Sequence, residues 1–274
     1  MTIGIFDSGL GGLTVAKAVM AALPREKIIY FGDTARTPYG NKPPETVAGY
    51  ALQNAKFLLK KKAQMIVVGC NTASAVSGLA LRKEFPSVPI FEVITPAVRE
   101  ALRRTHNGRI GVIGTRTTVQ SGAYQKWCRG INARECPLFV PLVEAGRLVH
   151  PTTYEVAEQY LAPFQRAQVD TLILGCTHYP WLKGVIADIV GNRVQLVDSA
   201  ETVAREVQQF ITPPASPYLK GRNDQSDSPL KVRGVRGVMS APKHEFYVSK
   251  KTPKFQELAE KWLGMSINLK AARL

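Results

Sequence analysis

One short pattern occurs twice in this chain. The apolar run Gln64-Met65-Ile66-Val67-Val68 leads into Gly69-Cys70-Asn71-Thr72, and the run Asp170-Thr171-Leu172-Ile173-Leu174 leads into Gly175-Cys176-Thr177-His178. Each run reads as a buried strand, so each cysteine stands just past a strand end, where α/β proteins place their ligands. The cysteines are 106 residues apart. Ile3-Gly4-Ile5-Phe6-Asp7-Ser8 resembles Ile110-Gly111-Val112-Ile113-Gly114-Thr115 at an offset of 107. Apolar strands ending in glycine also arise by coincidence, but two matches at nearly one offset favour a duplicated α/β unit. Two thiols in matching settings suggest one site approached from two sides.

The rest of the chain carries the same alternation. Strands are expected at 3–7, 28–32, 64–69, 89–94, 109–113, 134–140, 170–175 and 193–197. Helices are expected near 12–22, 44–61, 74–85, 96–105, 117–129, 153–165, 180–190 and 200–211. This order predicts an α/β fold of two similar domains, each a mainly parallel sheet flanked by helices. Thr95-Pro96 suits a crossing between domains, with proline in a first helical turn. A second crossing is expected within 198–212. The first domain then comprises 1–95 plus 208–274, and the second 96–207. The proline-rich, polar stretch 213–243 reads as a long, mobile basic loop. Glu245-Phe246-Tyr247-Val248 reads as a short strand, and Pro253 to Trp262 as a closing helix.

Composition narrows the function classes. At 274 residues the chain can bury a large core without disulfides or metals. No apolar run approaches the roughly 20 residues of a membrane-spanning helix, and the N-terminus lacks the plan of a signal peptide, so a cytoplasmic location is expected. The four cysteines, Cys70, Cys128, Cys136 and Cys176, show no zinc spacing; Cys128 and Cys136 read as structural. The net charge of +15 often accompanies nucleic-acid binding. Here the charges are dispersed, and the segment after Thr212 alone holds twelve lysines and arginines against five acidic residues. A solvated basic surface that attracts a small anion is the favoured reading; nucleic acid is the disfavoured one.

Several residues stand where chemistry is expected. The turn Asp7-Ser8-Gly9-Leu10-Gly11-Gly12 fails the dinucleotide spacing, which needs glycine at Thr14, and no P-loop lysine follows. It suits an anion cradle of backbone N–H groups with the Ser8 hydroxyl. Asp7 is a helix cap, a proton acceptor or an ammonium ligand. Thr115 and Thr118 open the corresponding helix of the second unit, with capping as their simplest role. A thiolate can be a nucleophile, a metal ligand or a base. A lone nucleophile needs no twin, and a metal would want more Cys or His nearby. Two opposed proton carriers fit best: one removes a proton from one face of a carbon, and the other delivers to the opposite face. His178 either tunes Cys176 or merely packs.

The segments Phe6-Asp7-Ser8-Gly9-Leu10-Gly11-Gly12-Leu13-Thr14-Val15, Gly32-Asp33-Thr34-Ala35-Arg36-Thr37-Pro38-Tyr39-Gly40, Gly69-Cys70-Asn71-Thr72-Ala73-Ser74 and Leu174-Gly175-Cys176-Thr177-His178-Tyr179-Pro180 resemble the signature blocks of the bacterial glutamate racemases. Pro141-Leu142-Val143-Glu144-Ala145-Gly146 resembles a further family segment. The resemblance implies interconversion of L- and D-glutamate without pyridoxal phosphate or any other cofactor or metal, supplying D-glutamate for peptidoglycan. It implies Cys70 and Cys176 as the acid/base pair, Cys70 facing the α-proton of D-glutamate and Cys176 that of L-glutamate. Asp7 would assist Cys70, and His178 would assist Cys176 with Glu144 as its partner. Asp7, Ser8, Tyr39, Gly40, Asn71, Thr72, Thr115, Thr118, Thr177 and His178 would line a pocket between the two domains. A homodimer is a further implication. A related racemase acting on aspartate is the alternative within enzymes; a basic regulatory protein that binds nucleic acid is the alternative outside them.

Overall fold

The computed structural model describes residues 1–212 and 242–274. All but the last two residues of the expected 213–243 loop lie outside the described residues. The chain runs β1 (Thr2–Asp7), α1 (Leu13–Ala22), β2 (Lys27–Gly32), α2 (Pro44–Lys60), β3 (Met65–Val68), α3 (Asn71–Glu84), β4 (Ile90–Glu92) and α4 (Ile94–Arg104). It continues through β5 (Ile110–Gly114), α5 (Arg116–Gln120), β6 (Asn132–Glu135), α6 (Phe139–Glu144), α7 (Pro151–Arg166), β7 (Thr171–Gly175), α8 (Lys183–Val190), β8 (Gln195–Asp198) and α9 (Ser199–Ile211). After the undescribed stretch come β9 (Glu245–Val248), α10 (Pro253–Leu263) and β10 (Leu269–Ala271).

The described residues form two sheets, and every strand pairing among them is parallel. The first has the order β10-β9-β2-β1-β3-β4, the second β6-β5-β7-β8. The run β2-β1-β3-β4 and the run β6-β5-β7-β8 are the same topology, so the two repeated sequence phrases are structurally equivalent. Cys70 follows β3 and Cys176 follows β7. In each unit the chain reverses its direction of strand addition at β1 or β5, and a crevice opens there beyond the carboxyl ends of the strands. The continuous apolar runs have the expected cause. Met65-Ile66-Val67-Val68 and Leu172-Ile173-Leu174 are wholly buried, as strands covered on both faces must be.

The halves share a core. Its largest cluster joins Ile3, Ile5, Val15 and Val19 of the first half to Leu172, Leu174, Val203 and Val207 of the second. Asp198 caps α9 by accepting the Ala200 N–H at 2.8 Å. Thr252 caps α10 through the Phe255 N–H at 3.2 Å, and Gly264, at φ +74°, ends it.

The sequence expectations shift in four places. The strand expected at 134–140 stops at Glu135, and Phe139–Glu144 is helical instead. Pro137 cannot donate to a ladder, while Phe139 turns inward to meet the rings of Tyr160 and Tyr179, each with centroids 5.2 Å away. The helix expected at 117–129 ends at Gln120, because Gly122 takes φ +64° and turns the chain. The helix expected from 74 begins at Asn71, which makes Cys70 its N-cap residue. The expected 180–190 helix starts as a 3-10 turn over Tyr179–Leu182.

Candidate active site

Asp7 ends β1, fully buried, and its carboxylate accepts the Gly9 N–H at 2.8 Å and the Thr177 hydroxyl at 3.5 Å. Gly9 therefore spends its N–H on Asp7 and cannot serve the anion cradle that the turn suggested. The glycines of this turn have a different purpose. A Cβ on Gly12 would lie 2.2 Å from the Asp7 Cβ; one on Gly11 would lie 2.2 Å from the Thr177 hydroxyl and 2.6 Å from His178 Nδ1. The turn is pressed against the Cys176 loop of the other half, and only a residue without a side chain allows that approach.

The loop after β2 crosses the cleft. Asp33, fully buried, accepts Arg36 Nε at 2.6 Å, Ser249 Oγ at 2.9 Å and the Tyr39 hydroxyl. Burial and the Asp33 charge hold the Tyr39 phenol far above its usual range, so Tyr39 stays a hydrogen-bond donor to Asp33. Anchored this way, the loop carries Gly40 to the second half. Thr117 donates to the Gly40 carbonyl at 2.9 Å and is 3.1 Å from the Lys42 carbonyl. A Cβ on Gly40 would stand 2.6 Å from the Thr115 Cβ. Below this contact the hydroxyls of Thr72, Thr115 and Thr118 meet within 2.9–3.2 Å of one another. Thr115 does not play the capping role the sequence suggested: it is the N-cap residue of α5, yet its hydroxyl makes no cap bond and serves this triangle.

Between the halves lies a cavity of about 240 Å³. That is smaller than the roughly 300–1,000 Å³ of drug-sized sites, a scale suited to one small metabolite. Both thiols line it, with Ser8, Tyr39, Gly40, Asn71, Thr72, Thr115, Glu144, Thr177 and His178. Asp7 and Thr118 stand behind the wall, the first bonded to Gly9 and Thr177, the second to Thr72 and Thr115. Thr37, Pro38, Asn41, Arg116, Pro137, Val140 and Pro141 also face the cavity, and the sequence reading missed them as site residues. Pro137 and Pro141 carried a signal, since proline punctuates a strand; Arg116 carried one only by lying between Thr115 and Thr118.

The two thiols have unlike company. Burial, reinforced by the charge of Asp7, pushes the Cys70 thiol up to about 12, although the Ala73 N–H and the Ser8 hydroxyl pull the other way. Cys70 thus holds its proton at neutral pH. Cys176 Sγ is 3.8 Å from His178 Nδ1, and His178 Nε2 is 3.1 Å from Glu144 Oε1. Burial alone would lower the His178 pKa, but hydrogen bonds to Cys176 and Glu144 and the charges behind them raise it to about 10. The same hydrogen bond to His178 lowers the Glu144 carboxyl. Asn71 donates to Tyr124 at 3.0 Å and to Ser199 at 3.3 Å; its buried Oδ1 has no partner among the described residues. No group of three or more His, Cys, Asp or Glu among the described residues could hold a metal ion.

The sequence model of the Asp/Glu/hydantoin racemase family matches residues 13–207, well over half of the chain. The chain belongs to the Asp/Glu/hydantoin racemase family. Within it, the glutamate racemase of Beutenbergia cavernae is 44% identical over 273 residues, covering 97% of this chain and 90% of that one. The crystal structure of a glutamate racemase isoform from Bacillus anthracis superimposes with a TM-score of 0.84 at 35% identity, covering 100% of this chain and 97% of that one. A glutamate racemase from Francisella tularensis, crystallised with D-glutamate, gives 0.82 at 33% identity with the same coverage. The fold of two parallel-sheet α/β domains is that of these family members. No helix among the described residues is long and apolar enough to cross a membrane.

Proposed function

We propose that this chain is a cofactor-independent glutamate racemase that works by two-base proton transfer and supplies D-glutamate for peptidoglycan. One observation carries the reading: two buried cysteines from equivalent strand ends of a duplicated unit face one cavity sized for one small metabolite. In the L-to-D direction the Cys176 thiolate takes the α-proton of L-glutamate, and Cys70 gives its proton to the opposite face of the same carbon. The direction reverses with the roles exchanged. Cys70 rests protonated, which is the donor state that the L-to-D turnover requires.

The α-proton is far less acidic than a thiol, so the site must stabilise the carbanion-like transition state with donors already in place. Ser8, Thr72, Thr115 and Thr177 supply hydroxyls around the cavity, and Asn71 stands beside Cys70 in its wall. Tyr39 and Gly40 form the wall nearest Thr115. Asp7 acts on the Cys70 side through its charge, and Thr118 fixes the hydroxyls in front of it. His178, held by Glu144, serves Cys176. Closure of the two halves about a hinge that we place near residues 95 and 207 would exclude water from the reaction. The basic surface attracts an anionic amino acid rather than nucleic acid, and we read the chain as cytoplasmic and as a homodimer, in keeping with the sequence expectations.

The reading is tested by incubating the protein separately with L-glutamate and L-aspartate and resolving the enantiomers. D-glutamate should accumulate until the two forms are equal. No D-glutamate would end the reading; D-aspartate alone would move it to the aspartate-specific relatives.

A further inference from the structure

We infer that Trp262, at the last turn of α10, is a positioning residue for His178, so that the C-terminal helix sets the geometry of the Cys176 side alone. The inference rests on the two-thiol reading above.

His178 is buried, and its two nitrogens are committed, Nδ1 toward Cys176 and Nε2 toward Glu144. Those two contacts fix the ends of the ring but not its tilt about the line that joins them. Packing must fix the tilt. On one side stands Gly11, so close that a Cβ there would be 2.7 Å from His178 Cε1. The indole of Trp262 lies against the ring as well, with centroids 6.0 Å apart and planes at 83°. Trp262 is in turn held. It stacks on Trp181 at 4.5 Å, and its carbonyl accepts Lys17 Nζ at 2.9 Å. Gly11, Lys17 and Trp262 all belong to the half that carries Cys70, whereas His178 and Trp181 belong to the other. The imidazole that faces Cys176 is therefore clamped across the domain boundary. The segment after Cys70, Asn71-Thr72-Ala73, carries no histidine for a ring to clamp.

Enantiomers are equal in free energy, so kcat/KM must be the same from L- and from D-glutamate in any variant. A one-sided defect cannot show as a one-sided rate. It shows in the primary isotope effects of α-deuterated substrates. If the Cys176 step slows, abstraction from deuterated L-glutamate becomes more rate-limiting and its isotope effect rises. Abstraction from deuterated D-glutamate by Cys70 becomes less limiting, and its isotope effect falls.

The test uses Trp262→Met, which fills the space without a ring, and Trp262→Phe, which restores a ring. Trp262→Met should lower kcat/KM about 10- to 10²-fold, the scale of a displaced catalytic group. Its isotope effect should rise from L-glutamate and fall from D-glutamate, and Trp262→Phe should recover most of both. If Trp262→Met does not fold, Lys17→Met at an exposed position removes only the tie to the Trp262 carbonyl and should shift the isotope effects the same way, to a smaller extent. Unchanged isotope effects in Trp262→Met, or in Lys17→Met where it stands in, overturn the inference, as does a Trp262→Phe variant as impaired as Trp262→Met. Cys176→Ala run alongside separates the two levels. If that variant still racemises glutamate, the two-thiol reading itself fails; if it is inactive while the isotope effects ignore Trp262, only the positioning role fails.

Discussion

Cys70→Ala and Cys176→Ala are each expected to abolish glutamate racemisation, with losses at or beyond the upper end of the about 10²–10⁴-fold that a positioned acid or base contributes. Each turnover needs one thiol as acceptor and the other as donor, so neither residue can cover for its twin. The double variant should lose little more than either single one, because the two act as a unit. Serine at either position restores the shape but not the acidity and should leave racemisation undetectable or nearly so. Both side chains are small and buried at the cavity wall rather than in the deep core, so circular dichroism should report folded variants. Steady-state assays from both enantiomers check the prediction. One single variant that racemises near the wild-type rate would remove the two-base scheme.

His178→Gln is the second large effect, a loss of about 10²-fold in kcat with a smaller change in KM. Glutamine can still touch Glu144, but it cannot carry the positive charge that His178 presents to Cys176. A pH signature should accompany the loss. The folded pKa of about 10 exceeds the roughly 6.5 of an unfolded histidine. The charged ring therefore stabilises the fold fully below about pH 6.5, and that contribution disappears as pH climbs through about 10. Glu144 runs the other way: its carboxyl is lowered by His178, so its share is present above its unfolded pKa and vanishes on acidification. Denaturant unfolding of the wild type should show stability declining from pH 7 to 10 relative to His178→Gln. Parallel pH curves for the two proteins would contradict the assignment of the charge to His178.

The fold was largely legible because parallel strands, buried on both faces, write themselves as unbroken apolar runs. Met65–Val68 and Thr171–Gly175 needed no periodicity to be seen. The cysteines were legible for a topological reason: duplication placed the same phrase at the same strand end twice. What the sequence hid is of two kinds. The stretch 134–140 read as one strand, and the fit of Phe139 between Tyr160 and Tyr179 made its second half a helix instead. The other kind is close approach across the chain. Nothing local to Gly11 or Gly12 announces that they clear space for His178, Thr177 and Asp7. Nothing in the pattern of Pro253–Leu263 announces that its last tryptophan reaches a histidine 84 residues earlier in the chain. Such contacts exist only once both halves have folded.

The central claim is that two different thiols serve the two faces of one carbon. It is tested most directly by running the reaction in deuterium oxide from each enantiomer and following the α-hydrogen in both forms at early times. A cysteine that has just released its proton to product takes its next one from solvent, so the account predicts deuterium in the newly formed enantiomer and none at first in the recovered substrate, from either direction. Product that keeps the substrate's own α-proton, or substrate and product labelled equally from the start, would mean a single base serving both faces and would contradict it.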